Sequence, residues 1–237
     1  MTNLLALAAI SFTAPQSMNI NDYVSRQFDD ATLTASVVKG DQRELQKING
    51  DFGQSYRFES TKIMIKEPFK LRLETSSEDT DILYILNGTT QAMKIPKARI
   101  NLKQNLGNKP GRRQTTLDFG FLTPALFAGT FFTAKFVRED RASGDAVFDL
   151  TYIKSLDDTS RHRVWLDPQK RVVTKREWYN QHGRQLATFF YENAKQFDGT
   201  YMPTQLRVVN VEGKVAGITR YDSIRVNTGL ADSLFSL

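Results

Sequence analysis

Hydrophobic and polar residues alternate over most of the chain beyond residue 52, a pattern typical of half-buried β-strands. Phe69, Leu71 and Leu73 show it clearly, because charged side chains separate them. Apolar runs are joined by turn signals such as Asn87-Gly88, which favour antiparallel hairpins since both residues tolerate positive φ. The pattern predicts about eleven strands in sequential hairpins.

Two N-terminal segments depart from this alternation. Residues 19–47 predict a long helix, which Asn19 or Asn21 would cap and which the pair Asn49-Gly50 would end. Residues 4–12 (LLALAAISF) have the size of a signal-peptide hydrophobic region. We interpret residues 1–17 as a truncated signal segment, with an ordinary first helix turn as the alternative, and residues 18–237 as one domain.

A third segment, residues 119–132 (FGFLTPALFAGTFF), carries no charge and five phenylalanines. It is too short to cross a bilayer as a helix, which takes about 20 apolar residues. Pro124, Gly120 and Gly129 also argue against one long strand. We interpret it as a helix-and-turn insert that covers an apolar surface.

This order of elements predicts a mainly β (α+β) domain. A strongly curved antiparallel sheet would curl into a barrel or an open half-barrel, because sequential hairpins build a sheet that can close on itself fully or in part. The N-terminal helix and the central insert would cover its concave face.

The charge of the chain is uneven. The formal net charge is +6 over 237 residues, and no acidic residue occurs in 82–117. A solvated strand face with two basic turns explains this, or an attraction to an anionic membrane or an acidic partner, with contacts at Lys109, Arg112 and Arg113. Nucleic acid is not indicated, since the basic residues are not interleaved with aromatic ones.

Little in the sequence indicates catalysis. There is no cysteine, and the two histidines, His162 and His182, read as surface or turn residues. Paired acids such as Asp157-Asp158 fall in predicted turns, and neither a nucleophile elbow nor a phosphate-binding loop occurs. We therefore expect a protein that is not an enzyme and needs no metal or cofactor.

A ligand cavity is the alternative to catalysis. Apolar residues recur on one face of successive strands, and phenylalanine and methionine suit a pocket for acyl chains of differing shape. An ordinary packed core is the competing interpretation. The candidate cavity residues are Phe58, Phe69, Leu71, Leu73, Ile82, Tyr84, Met93 and Ile95 on the strands, and Phe119, Phe121, Leu126, Phe127 and Phe131 in the insert.

Several segments occur in a familiar order. Residues 65–72 (IKEPFKLR) place a proline between two strands, and residues 81–88 (DILYILNG) give an apolar strand and its turn. Residues 164–168 (VWLDP) and a closing DSLF at Asp232–Phe235 follow. In pattern and order, the chain from about residue 20 resembles the LolA/LolB-like family of periplasmic lipoprotein carriers and outer-membrane lipoprotein receptors.

The resemblance implies an exported, soluble, monomeric periplasmic carrier that holds lipid or lipoprotein acyl chains. An inner-membrane ABC transporter and an outer-membrane acceptor would be its partners. The carriers have an arginine before the turn proline, whereas this chain has Glu67, which suits a different lipid cargo. Lipoprotein receptors are anchored through a cysteine that this chain lacks. An envelope sensor that binds a protein partner is the alternative function.

Overall fold

Thirteen strands form a single antiparallel sheet, and two short strands pair beside it. The computed structural model describes residues 18–50, 52–77 and 80–237, so the predicted signal segment 1–17 lies outside the described residues. The strands are β1 (Asp30–Gly40), β2 (Ser60–Lys66), β3 (Lys70–Ser77), β4 (Thr80–Asn87), β5 (Thr90–Ile95), β6 (Ile100–Asn105), β7 (Phe132–Glu139), β8 (Ala146–Tyr152), β9 (Arg161–Leu166), β10 (Val173–Tyr179), β11 (Gln185–Glu192), β12 (Lys195–Phe197), β13 (Thr200–Met202), β14 (Gln205–Asn210) and β15 (Val215–Val226).

The first and last strands pair with each other in the middle of the sheet. The strand order is β6-β5-β4-β3-β2-β1-β15-β14-β11-β10-β9-β8-β7, with β12 and β13 forming the separate pair. Ala31 of β1 lies opposite Val226 of β15 and, on its other side, opposite Ile65 of β2. The sheet therefore ends at β6 and β7, and the connector, residues 106–131, runs from one edge strand to the other.

The predicted N-terminal helix over 19–47 is wrong. Its middle forms β1, and the single α-helix among the described residues, α1 (Gln42–Gln46), is one short turn after that strand. In β1, buried Ala31 and Leu33 alternate with β-branched Thr32 and Thr34, a period-two pattern typical of a strand. The strand pairs with β15 on one side and with β2 on the other. Tertiary pairing thus overrides the weak helical spacing.

Two further expectations need correction. The described residues form fifteen strands, whereas about eleven were predicted. The segment 119–132 contains no α-helix: it makes 3₁₀ turns at Thr116–Phe119 and Pro124–Phe127, and Phe121 bridges to Val172. Its proline and glycines stop longer helices from forming.

The C-terminal tail covers the outer face of β2 and β4. Phe235, in the 3₁₀ turn Asp232–Phe235, is fully buried against Met64 and Ile85. Arg72 donates to the Leu234 carbonyl at 2.8 Å, which holds the turn in place. The opposite face of the same strands therefore remains for the main core and the candidate site.

Asp30 fixes the start of β1 to the chain that follows β15. Its buried carboxylate accepts backbone N–H bonds from Thr228, Gly229 and Leu230 at 2.8–2.9 Å, and the Thr228 hydroxyl at 3.0 Å. Burial acts to raise the pKa of Asp30, but these hydrogen bonds outweigh it and hold the pKa below its usual range.

We expect Asp30→Ala to lower the free energy of unfolding by about 3 kcal/mol, because three backbone donors lose their acceptor. Exposed Asp29, whose side chain has no hydrogen bond among the described residues, gives the control Asp29→Ala. Urea unfolding at pH 7 measures both, and equal small losses would contradict the assignment.

The same carboxylate makes a pH-dependent contribution. Because the pKa of Asp30 is lower in the folded than in the unfolded protein, the ionised carboxylate stabilises the fold. This stabilisation is fully present above about pH 4, the usual pKa of an unfolded aspartate, and it is lost as the pH falls through the lower folded-state pKa. We expect the stability gap between the native protein and Asp30→Asn to shrink over that window.

Candidate functional site

A cavity of about 740 Å³ lies against the face of the sheet opposite the C-terminal tail. Each of the thirteen strands of the large sheet contributes at least one lining residue, from Gln104 on β6 to Phe132 on β7. The middle of the sheet supplies Ala35 on β1 and Tyr221 on β15. One cavity is thus shared by strands that are far apart in the strand order.

Most of the predicted cavity residues lie along its wall. The structure places eight of the thirteen there: Phe58, Leu73, Ile82, Tyr84, Met93, Ile95, Phe119 and Phe131. Pairing explains the strand residues, since Tyr84 lies between Leu73 and Met93 on three adjacent strands and all three share one face. Period-two alternation in the sequence was therefore enough to predict that these strand residues share a face.

The other five predicted residues pack into the core instead. Leu71, Phe121 and Leu126 are almost fully buried. Phe69 and Phe127 are partly buried and pack against the same core. These five support the wall rather than line it.

Sequence reasoning missed the part of the wall that comes from β1 and the second half of the chain. Its members include Ala35, Val37, Trp178, Phe189, Leu206 and Tyr221. The period-two alternation in 31–37 carried the necessary signal, and the largely apolar stretch 186–191 indicated a strand. The stretch 186–191 was assigned to a strand without a face, and 31–37 was assigned to one side of the predicted helix.

The segment 119–132 is anchored at several points. The Ser25 N–H donates to the Leu122 carbonyl at 2.7 Å, and the Phe28 and Phe121 rings lie 4.7 Å apart. Gly120 has φ +84°, and a Cβ there would come within 2.6 Å of Pro203. The segment is therefore a packed part of the wall, with Phe131 facing the cavity.

Glu67 ties this segment to the turn between β2 and β3. Its carboxylate accepts a hydrogen bond from the buried Thr123 hydroxyl at 2.7 Å, while its other oxygen is buried without a partner among the described residues. Burial raises the pKa of Glu67. Glu67 thus contacts the segment 119–132 directly.

The mostly apolar wall of the cavity contains an ion pair between Arg176 and Asp118. Arg176 and Asp118 both line the cavity, and Arg176 Nη1 donates to Asp118 Oδ1 at 2.9 Å. Asp118 Oδ2 accepts the Thr115 N–H at 2.9 Å, and the Arg176 guanidinium lies 4.1 Å from the centre of the Phe189 ring. The negative charge of Asp118 is therefore already balanced within the protein.

Arg113 is buried, which corrects the expected surface contact. Only 9% of it is exposed, whereas Lys109 and Arg112 are exposed as predicted. Its guanidinium lies 4.8 Å from the centre of the Phe69 ring and 4.7 Å from that of Phe131. Burial lowers the pKa of Arg113 from its ordinary value.

His162 is also buried, contrary to the expected surface position. It lines the cavity beside the Phe132 and Tyr152 rings, and its Nδ1 has no hydrogen-bond partner among the described residues. Burial lowers the pKa of His162 well below its usual range, and the Arg176 charge adds to this effect. The imidazole is therefore neutral at pH 7.

Comparison with solved structures identifies the fold. The chain superposes on a LolA superfamily protein from Nitrosomonas europaea with a TM-score of 0.61 at 16% identity, covering 92% of this chain and 94% of that one. An outer membrane lipoprotein-sorting protein domain from Vibrio parahaemolyticus also gives 0.61 at 16% identity, with coverage of 92% and 93%. A DUF1329 family protein from Desulfovibrio piger gives 0.54 at 13% identity, covering 92% of each chain.

The chain therefore has a LolA-like fold, which confirms the resemblance found in the sequence. A family model described as "Uncharacterized protein" matches residues 130–237. No curated protein matches the sequence. Among the described residues, no helix has the length and hydropathy needed to cross a membrane.

The cavity can be tested by filling it. Ala35 lines it from the central strand, whereas neighbouring Ser36 points to the other face of β1. We expect Ala35→Trp to weaken binding of the neutral dye N-phenyl-1-naphthylamine by about tenfold or more, because an indole occupies the space of the ligand. Dye fluorescence measures this, and equal binding by Ala35→Trp and Ser36→Trp would contradict a binding cavity.

Proposed function

We propose, with the LolA-like fold as the starting point, that this protein is a periplasmic carrier without enzymatic activity. It binds lipid or the acyl chains of lipoproteins in the cavity and transports them toward the outer membrane. The observation that carries the proposal is a single cavity of about 740 Å³ whose mostly apolar wall draws on all thirteen strands. That volume lies within the range of about 300–1,000 Å³ typical of small-molecule sites.

The proposal includes a sheet curved into an open half-barrel. Neighbouring strands lie about 4.8 Å apart, so twelve steps would separate β6 from β7 by roughly 58 Å in a flat sheet. Gln104 of β6 and Phe132 of β7 nevertheless line the same cavity. This shared lining supports a sheet that wraps around the cavity.

Hydrophobic burial supplies enough affinity for such a carrier. Each buried methylene contributes about 0.8 kcal/mol, so one acyl chain binds reversibly without covalent chemistry. The wall offers side chains, such as those of Met93 and Leu73, that adapt to acyl chains of differing shape. Exchange of cargo between membranes requires this kind of reversible binding.

The rim at β6 suits contact with a membrane. Ile100 and Leu102 pair with Ile95 and Met93 and extend the apolar face of the cavity to the sheet edge, yet 36% and 55% of them are exposed. Exposed basic residues occur on β5 and β6 and in the segments that join them to the rest of the chain, namely Lys94, Lys97, Arg99, Lys103, Lys109 and Arg112. An apolar edge flanked by positive charge fits an anionic bilayer surface.

Native mass spectrometry after mild extraction tests the carrier function. We expect the protein, purified from a periplasmic extract, to carry co-purified lipid that is absent from Ala35→Trp and present in Ser36→Trp. A clean apo mass in the native protein, with a specific protein partner retained instead, would contradict the carrier and favour an envelope interaction module.

The rim can be tested with vesicles of phosphatidylglycerol and phosphatidylcholine. We expect Ile100→Ser combined with Leu102→Ser to weaken vesicle binding by about tenfold or more, because two apolar contacts with the bilayer are lost. Val211, which is 50% exposed in the turn between β14 and β15, gives the matched control Val211→Ser. Co-flotation measures binding, and equal binding by the rim variant and the control would refute the rim assignment.

A further inference from the structure

Arg113 is the charged residue of the cavity wall that the carrier function does not explain. The charged side chains of the lining are three arginines, Arg112, Arg113 and Arg176, against the single carboxylate of Asp118. That carboxylate pairs with Arg176, and Arg112 is exposed. Arg113 therefore remains as a buried cation in an apolar wall.

Within the described part of the chain, the guanidinium of Arg113 has no hydrogen-bond or ion-pair partner. Its Nε is buried without a partner, and none of the described residues accepts a hydrogen bond from its side chain or forms an ion pair with it. An arginine offers five N–H donors and remains charged in proteins. The geometry thus leaves unused donors at the cavity wall.

The surrounding protein offsets only part of the cost of this burial. The Phe69 and Phe131 rings contact the guanidinium, and these cation–π contacts stabilise its charge in part. A buried ionised group that lacks a counter-charge is destabilising, because its lost hydration is not replaced. A negatively charged ligand group would supply the missing partner.

The balance of charges favours a monoanion. Asp118 neutralises Arg176, and His162 is neutral, so one cationic charge remains available inside the cavity. A carboxylate matches one guanidinium through two parallel N–H···O bonds. A phosphate dianion would need a second cation that the inner wall does not offer.

We propose that Arg113 binds the carboxylate of a single-chain amphiphile, such as a long-chain fatty acid, whose hydrocarbon tail occupies the apolar part of the cavity. This inference rests on the proposed function of lipid binding and assigns the chemistry of the head group. Leu73 on β3 and Met93 and Ile95 on β5 line the apolar part of the cavity, where they contact the tail. The connector thus provides the head-group site, and the sheet provides the tail site.

Displacement of N-phenyl-1-naphthylamine compares head groups on one chain length. The competitors are laurate, dodecanol, dodecyl phosphate and dodecyltrimethylammonium, each below its micelle concentration. We expect laurate to displace the dye from the native protein at a concentration about 10- to 100-fold lower than dodecanol, as charge-assisted hydrogen bonds predict. Arg113→Gln should remove this preference, so that laurate and dodecanol displace the dye at similar concentrations.

Control variants separate binding from structure. Exposed Arg141, which lies in the turn between β7 and β8, gives the control Arg141→Gln, which should retain the preference for laurate. Arg113→Lys keeps the charge without the two parallel bonds, so its preference should be intermediate. If neither Arg113 variant folds, the comparison of head groups on the native protein decides the question.

The outcomes distinguish the two proposals. Equal displacement by laurate and dodecanol, tighter binding of dodecyl phosphate than of laurate, or an equal loss of all competitors in Arg113→Gln would overturn the carboxylate site. In each of these cases the dye and dodecanol still bind the native protein, so the carrier survives. If neither the dye nor any competitor binds the native protein, the carrier function itself fails.

Discussion

The pairing of β1 with β15 is the constraint on which the rest of the structure depends. It places the first and last strands of the sheet in the middle, so that the edges are strands from the interior of the sequence, β6 and β7. The connector between them, residues 106–131, then has to run from edge to edge. Asp30 secures this arrangement, because its carboxylate binds three backbone donors just beyond β15.

The connector determines the chemistry of the cavity. The strands supply a broad apolar wall, whereas the connector brings Arg113, Asp118 and Phe131 to it. Asp118 meets Arg176 of β10, and Arg113 meets aromatic rings and no counter-charge among the described residues. A carrier of neutral lipid has no use for that unpaired cation, so the connector is the part of the fold in which specificity for a head group can arise.

The sequence predicts the sheet well wherever the signal is local. Beyond residue 60, period-two alternation and turn residues such as Gly88, with φ +60°, place most strands and the face shared by Leu73 and Tyr84. β1 was missed because its alternation was read as a helical face. The burial of Arg113 and His162 could not be predicted, since it results from the crossing of the connector and from partners distant in sequence.

The central claim is that the cavity holds an amphiphile with its tail along the sheet and its head group at Arg113. A crystal structure with 12-bromododecanoate tests it most directly, because the bromine marks the tail by anomalous scattering. We expect a bromine peak inside the cavity among Leu73, Met93 and Phe189, with the carboxylate within hydrogen-bonding distance of Arg113. A cavity without such a peak, or bromine only at the outer surface of the sheet, would contradict the account.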